Sequence, residues 1–173
     1  MKIRFSTLAF ICGIQFCTWA SQPSPAADIA PSSGKKLCSA LLAADFTKLG
    51  VPVKGLLSAN LNPGDNTGAY CTYESKSGNV EFDVFSPAGN TPQEVLATEK
   101  TVLTDGSEGK SEPSHVPGAD SAEINLAIPG KSPSASITVR RKNLVFAIYI
   151  PASRNARDQL ISLAQTALGR LQP

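Results

Sequence analysis

The stretch that decides the fold is SASITVRRKNLVFAIYI, residues 134–150. It contains two runs rich in β-branched and aromatic residues, and these runs flank a two-residue turn, Lys142-Asn143, which predicts a β-hairpin. Asn143 is able to take the positive φ that suits such a turn. A shift of one residue would carry the apolar side chains to the opposite face, so the pattern specifies one register. The pairs that this register puts on one face are Val139 with Phe146 and Ile137 with Ile148.

Further strands and helices surround this hairpin. Period-two alternation predicts strands at 55–62, 68–75, 79–86 and 121–128, and three- and four-residue apolar spacing predicts helices at 35–50, 92–105 and 154–168. In the first strand, Leu57, Ala59 and Leu61 form the apolar face, and the last of the three helices ends the domain. The order is α-β-β-β-α-β-β-β-α, which lacks the alternation of a parallel sheet. It predicts an α+β fold, a mainly antiparallel sheet of about six strands flanked by helices.

The strand at 79–86 alternates three apolar residues with Glu81 and Asp83. Two carboxylates at this spacing fall within the range of a glycosidase pair. Alternating charges opposite apolar residues are more typical of a half-solvated strand, so we interpret both as solvent-facing, with no cause for a raised pKa. The aromatic residues that we assign to sheet core or cross-strand pairs, rather than to ligand stacking, are Tyr70, Tyr73, Phe85 and Tyr149.

The start of the chain predicts export. Residues 1–20 combine a basic start, an apolar stretch too short to span a bilayer and small residues before a cleavage site near Ala20, as in a signal peptide. Residues 21–34 are rich in Ser, Pro and Ala and predict a flexible tether. Residues 35–173 then form a single α+β domain. We expect a periplasmic or extracellular protein with no transmembrane segment in its mature chain.

Charge argues against a nucleic-acid partner. The full sequence has 16 basic and 14 acidic residues, and the net charge of +2 comes from Lys2 and Arg4 in the predicted signal peptide. The mature chain is therefore neutral, which weakens the electrostatic case for binding nucleic acid or an anionic membrane. We predict no nucleic-acid binding and no cofactor.

Cysteine usage predicts a disulfide. Cys12 and Cys17 lie in the signal peptide, and neither follows the small residue that a lipid-anchoring site needs. Cys38 and Cys71 remain in the mature chain, and a cysteine pair in an exported protein is most often bridged. A redox pair would favour closer spacing, and two cysteines with one histidine are too few for a structural zinc shell. The bridge would contribute roughly 3–4 kcal/mol by loop-closure entropy.

Two further segments contain candidate binding residues. The polar stretch 105–118 is a long loop for a compact domain, and such loops are often functional. It contains His115, the only histidine, and Asp120 follows close behind it, so both are candidate binding residues, although neighbours in one loop have no special claim to be a catalytic triad. Arg140 and Arg141 at the hairpin tip are candidate anion contacts.

Three features together resemble a known class of domain. The first helix contains Leu37-Cys38, a strand contains Cys71-Thr72-Tyr73, and the segment 116–122, VPGADSA, leads into the final strands. Over most of residues 35–171 the chain resembles small, cysteine-paired, exported or lipid-anchored bacterial envelope domains of unknown function, and the related PsbP-like and mycobacterial lipoprotein folds. The resemblance implies a helix-flanked antiparallel sheet and a Cys38–Cys71 bridge. It implies no activity.

These observations predict a non-catalytic binding module of the bacterial envelope, with no catalytic, metal-binding or cofactor-binding residues. Its expected partner is a small apolar ligand or an envelope protein. Two alternatives stay open. The first is a secreted hydrolase or hydrolase inhibitor that acts through the 105–118 loop. The second is a binder of anionic polymers through the basic cluster at 140–142.

Overall fold

The structure, a computed structural model, describes residues 33–61, 68–85, 92–105, 111–126 and 134–171. These residues form four helices, α1 (Ser33–Cys38), α2 (Ala43–Lys48), α3 (Pro92–Asp105) and α4 (Ala156–Arg170). They also form seven strands: β1 (Gly55–Leu61), β2 (Ala69–Glu74), β3 (Val80–Phe85), β4 (Ser111–Pro113), β5 (Ser121–Asn125), β6 (Ser134–Arg141) and β7 (Leu144–Pro151). The predicted signal peptide and residues 21–32 of the predicted tether lie outside the described residues.

All seven strands belong to one antiparallel sheet, in the order β1-β2-β3-β7-β6-β5-β4. The first three strands run from one edge to the centre. Helix α3 then leads to the opposite edge, and the last four strands return to the centre, where β7 pairs with β3. The predicted α+β class and antiparallel sheet are confirmed, with one strand more than the six expected.

The β6–β7 hairpin has the predicted turn and register. Val139 pairs with Phe146 and Ile137 with Ile148, and the turn is Lys142-Asn143. The positive φ of this turn falls on Lys142, at 53°, and not on Asn143. A carboxylate from outside the hairpin explains this geometry: Asp120 accepts a hydrogen bond from the Lys142 N–H.

The two faces of the sheet are buried by different helices. One face is apolar and packs against α1, α2 and α4 in the main core. The largest fully buried side chains of this core are Phe46, Phe82, Phe146, Leu41, Ile124, Ile137, Ile148, Ile150, Leu160 and Leu163. Each stabilises the fold by about 1.5–3 kcal/mol through removal of apolar surface from water. The other face is covered by α3 through a small cluster of Val95, Val102, Val145 and Ala147.

The single helix predicted at the start of the domain is wrong, because the chain forms α1 and α2 with a turn between them. The Tyr73 hydroxyl on β2 lies against this turn and donates to the Leu41 carbonyl oxygen at 2.6 Å, with the Cys38 carbonyl oxygen at 3.3 Å. The Asp45 carboxylate accepts a hydrogen bond from the Leu42 N–H at 2.7 Å and so caps α2. Side chains thus satisfy backbone groups that a continuous helix would pair internally.

The alternation predicted for β1 is also wrong at one position. A bulge falls between Leu56 and Ser58, so Leu57 leaves the apolar face and is 68% exposed. After the bulge, Ala59 lies opposite Cys71 on the core face, as predicted. Bulges are common on edge strands because the extra residue disturbs pairing on one side only.

Strand β4 lies within the stretch 105–118, which the sequence predicts to be a loop without regular structure. It pairs with β5, and Pro113 lies opposite Glu123. Proline has no N–H to donate, and it is tolerated here because β4 is an edge strand with one neighbour. The edge of the sheet thus extends into the predicted loop.

Candidate ligand-binding site

A row of paired residues crosses the sheet beneath α3. Residues directly opposite each other on antiparallel strands point to the same face. Tyr70 on β2 lies opposite Asp83 on β3, and Asp83 lies opposite Ala147 on β7. Because Ala147 packs in the same small cluster as Val95 and Val102 of α3, the whole row faces that helix.

A pocket of about 390 Å³ lies between this row and α3. The sheet contributes aromatic and acidic side chains, and the helix contributes small and β-branched ones. The lining residues are Tyr70, Asp83, Phe85, Ala97, Thr98, Thr101, Val102 and Tyr149. The wall is mainly apolar with few polar groups, which is the usual character of a small-molecule site.

Three aromatic rings from three neighbouring strands form much of the wall. Tyr70 and Phe85 pack edge to face, with ring centroids 5.8 Å apart. Tyr149 comes from β7, on the other side of β3. Edge-to-face packing fixes the relative orientation of two rings, so Tyr70 and Phe85 form a rigid corner beside Asp83.

Asp83 is the one charged residue among the described residues that line this pocket, and it is only 8% exposed. Within the described part of the chain, no group donates a hydrogen bond to its carboxylate and no cation pairs with it. Burial, and to a smaller extent the charge of Glu81, raises the pKa of Asp83 to about 7. The prediction of a solvent-facing Asp83 with no cause for a raised pKa is therefore wrong, because α3 covers the face that alternation alone leaves to solvent.

A polar network attaches α3 to the sheet at one side of the pocket. Glu99 of α3 is 9% exposed, and its carboxylate accepts hydrogen bonds from Arg140 Nε at 2.8 Å and from the Ser121 hydroxyl. Arg140 Nη1 also lies 3.4 Å from Asp120 Oδ2. An ion pair with this little exposure depends on good geometry and further hydrogen bonds, and both are present. The network holds the helix that forms the outer wall of the pocket.

The structure brings together two of the predicted binding residues. Asp120 and Arg140 contact each other in the α3 network, whereas His115 is an exposed residue between β4 and β5. Arg141 is half-buried and forms no ion pair with any residue that the structure describes. None of these four is among the described residues that line the pocket. Their predicted roles as binding-loop and anion contacts stay predictions.

The predicted disulfide between Cys38 and Cys71 is confirmed, with a Cα–Cα distance of 5.5 Å. It joins α1 to β2 across 33 residues, and both cysteines are fully buried in the main core. Cys71 and Tyr73 therefore face the main core, while Tyr70 lies on the opposite face of β2 in the pocket. The bridge is a structural link on the face of β2 opposite the candidate site.

A second concavity, of about 480 Å³, lies between α2 and α4. Its main charged groups already pair with each other: Arg170 contacts both Asp45 oxygens, at 2.5 Å and 3.0 Å. The hydrogen bond from Arg170 lowers the pKa of Asp45. This pair fixes the end of α4 to the start of α2, so the concavity is best described as a structural contact.

Comparisons with protein-family models, with curated proteins and with solved structures found no match to this chain. Within the described residues, no three His, Cys, Asp or Glu side chains lie close enough together to hold a metal ion. No helix in the described ranges is long and apolar enough to cross a membrane. The kind of ligand that the pocket binds is therefore inferred from the side chains that line it.

Sequence patterns assign the pocket residues to other roles. Tyr70, Phe85 and Tyr149 are predicted to be core or cross-strand residues. This prediction is correct for the Tyr70–Phe85 contact, but it does not identify the pocket next to that contact. One signal does point to the site. Tyr70 and Phe85 lie on the polar side of their strands, Phe85 in the same alternation phase as Asp83, whereas Tyr149 shares its side of β7 with Val145 and Ala147.

Proposed function

We propose that this protein is an exported, non-catalytic binding module of the bacterial envelope that holds a small, mainly apolar ligand between α3 and the sheet. The observation that supports this most directly is Asp83, a buried carboxylate without a described partner, in a pocket with three aromatic rings. A buried charge without a partner destabilises a fold. Such groups are characteristic of sites that bind or react.

The size and composition of the pocket support a small ligand. Its volume of about 390 Å³ falls within the range of about 300–1,000 Å³ that is usual for small-molecule sites. Val102 and the aromatic rings supply apolar surface, and Thr98 and Thr101 supply hydroxyl oxygens that can accept a hydrogen bond while they donate to the helix backbone. Pockets of this kind obtain affinity from apolar contact and specificity from a few polar groups.

Export is supported independently of the pocket. The first twenty residues have the charge and hydropathy of a signal peptide, and the Cys38–Cys71 disulfide is typical of proteins that fold outside the cytosol. Membership of the cysteine-paired envelope domain class remains part of this proposal.

Native mass spectrometry of the protein recovered from its own envelope tests this function. We expect a small added mass on the wild-type protein, and we expect Ala97→Trp to remove it, because Ala97 lines the pocket and an indole there fills the space. Leu96→Trp is the matched control, since Leu96 is the adjacent, exposed residue of α3 and does not line the pocket. Equal retention of the added mass by both variants would place the ligand elsewhere and contradict the proposal.

A further inference from the structure

We propose that the ligand of this pocket is an organic amine, an ammonium group with an apolar body, and that the ammonium pairs with the carboxylate of Asp83. This inference rests on the proposed function and names its ligand class. It depends on three features of the pocket: the charge at its base, the aromatic rings beside that charge, and the apolar wall opposite.

Among the described residues that line the pocket, Asp83 is the one charged group, and Arg140 at one side of the pocket is already paired with Glu99. On β3, Glu81 acts on Asp83 through space. The adjoining strands β2 and β7 contribute only Tyr70 and Tyr149 to the described lining, and α3 contributes no charged residue to it. The pocket is thus a low-dielectric space whose described ionisable groups are acidic or phenolic. An ammonium group would supply the missing counter-charge.

The second feature is the position of the aromatic rings. Tyr70 and Phe85 form an edge-to-face corner 5.8 Å between centroids, and Tyr149 lines the same space as Asp83. Aromatic rings attract cations through their quadrupole, by about 0.5–2 kcal/mol for each well-placed contact. A carboxylate with several rings around it is a chemical environment that favours an alkylammonium group over a neutral alcohol of the same size.

The third feature is the α3 wall, whose described polar side chains are Thr98 and Thr101, and both hydroxyls already donate hydrogen bonds to backbone carbonyl oxygens of the helix. Ala97 and Val102 supply apolar surface from the same helix. The end of the ligand that contacts this wall therefore carries hydrocarbon rather than further charge. A hydrocarbon body with a single ammonium group satisfies both sides of the pocket.

The test uses two probes of equal length, n-hexylamine and n-hexanol, and the folded protein with its disulfide intact. Calorimetric titration near neutral pH measures both affinities for the wild type, for Asp83→Asn, and for Glu81→Gln as the matched control on the same strand face. We expect the amine to bind the wild type and Glu81→Gln about 10-fold or more tightly than the alcohol, as for a charge-assisted contact. In Asp83→Asn this preference should disappear while the alcohol keeps its affinity.

The outcomes separate the two proposals. If the alcohol binds the wild type as tightly as the amine, the amine inference is wrong and the pocket remains a ligand site. If neither probe binds, both proposals are overturned. If the amine keeps its preference in Asp83→Asn, another group holds the cation and the inference is again wrong.

A measurement on the wild type alone avoids any dependence on the folding of a variant. An alkylammonium keeps its proton throughout the range below about pH 9, as lysine does, so only the protein's charge changes. The ratio of amine to alcohol affinity should rise as pH increases through about 7, where Asp83 ionises. A ratio that does not change between about pH 5.5 and about pH 8.5 contradicts the inference.

Discussion

Tyr70 and Asp83 lie directly opposite each other across β2 and β3, and both line the pocket beneath α3. Each belongs to a strand whose other face is fully buried in the main core. Strand alternation therefore places both side chains on the face opposite the main core, and α3 covers that face. A carboxylate that would otherwise be solvated becomes a buried charge between aromatic rings.

Replacement of Asp83 by Asn is expected to stabilise the protein at alkaline pH and to change its stability little near pH 4. The pKa of Asp83 in the folded protein is raised from 3.8 to about 7. As pH rises between about 4 and about 7, the unfolded chain releases this proton while the folded chain retains it, so the free energy of unfolding falls. The loss reaches the order of 4 kcal/mol above about pH 7, and an uncharged Asn does not incur it.

Urea unfolding of both proteins at about pH 4 and about pH 8 measures this difference. Glu81→Gln is the control, because Glu81 is less buried than Asp83 and its replacement should change the pH dependence far less. Parallel stability curves for Asp83→Asn and wild type across this range would show that Asp83 is ionised normally in the folded protein.

Arg140→Ala is expected to lower the free energy of unfolding by about 2–3 kcal/mol, because it leaves the buried carboxylate of Glu99 without its cation. Arg141→Ala is the matched control: its side chain forms no ion pair within the described residues, and its cost should be within about 0.5 kcal/mol. Chemical denaturation at neutral pH distinguishes the two. Equal losses would mean that the Glu99–Arg140 contact contributes nothing specific to the attachment of α3.

Lys142→Gly is expected to raise the free energy of unfolding by about 0.5–1 kcal/mol, because glycine adopts the left-handed conformation of this residue without steric cost. The backbone hydrogen bond to Asp120 is retained, since it uses the Lys142 N–H. Asn143→Gly is the control in the same turn. Asn143 does not have a positive φ, so its replacement by glycine is not expected to raise the free energy of unfolding. Thermal unfolding of the two variants gives the comparison, and a gain from Asn143→Gly alone would contradict the observed turn.

The double variant Cys38→Ala/Cys71→Ala is expected to lower the free energy of unfolding by about 4 kcal/mol, because the bridge closes a loop of 33 residues in the unfolded chain. Mass spectrometry with and without reductant first checks the bridge, which reduction should convert to two thiols. Denaturation of the oxidised wild type, the reduced wild type and the double variant then gives the stability. A wild type that contains two free thiols after export would contradict the disulfide.

Six of the seven strands and the disulfide were predictable because their signals are local or compositional, whereas β4 was not. The register of the β6–β7 hairpin follows from alternation on both sides of a two-residue turn, and the Cys38–Cys71 bridge follows from the two cysteines that lie outside the predicted signal peptide. The break between α1 and α2 was not predictable in this way. It depends on the Tyr73 hydroxyl, which comes from a residue more than thirty positions further along the chain.

The candidate site was hidden for a related reason. Alternation identifies which face of β3 contains Asp83, but it does not identify what covers that face. Helix α3 has only a few apolar contacts with the sheet. Its attachment through the ion pair of Glu99 with Arg140 on β6 joins residues 41 positions apart in sequence. A buried carboxylate therefore has the same sequence pattern as a solvated one.

The central claim, that the pocket beneath α3 binds a small molecule, is tested most directly by mapping n-hexanol onto the isotopically labelled protein by heteronuclear NMR. This neutral probe reports the site whether or not the ligand is an amine. We expect saturable shifts centred on Tyr70, Asp83, Phe85 and Thr101, which Ala97→Trp abolishes and Leu96→Trp preserves. Shifts centred instead on the exposed leucines of β1 or on the 105–118 loop, or no saturable shifts, would contradict it.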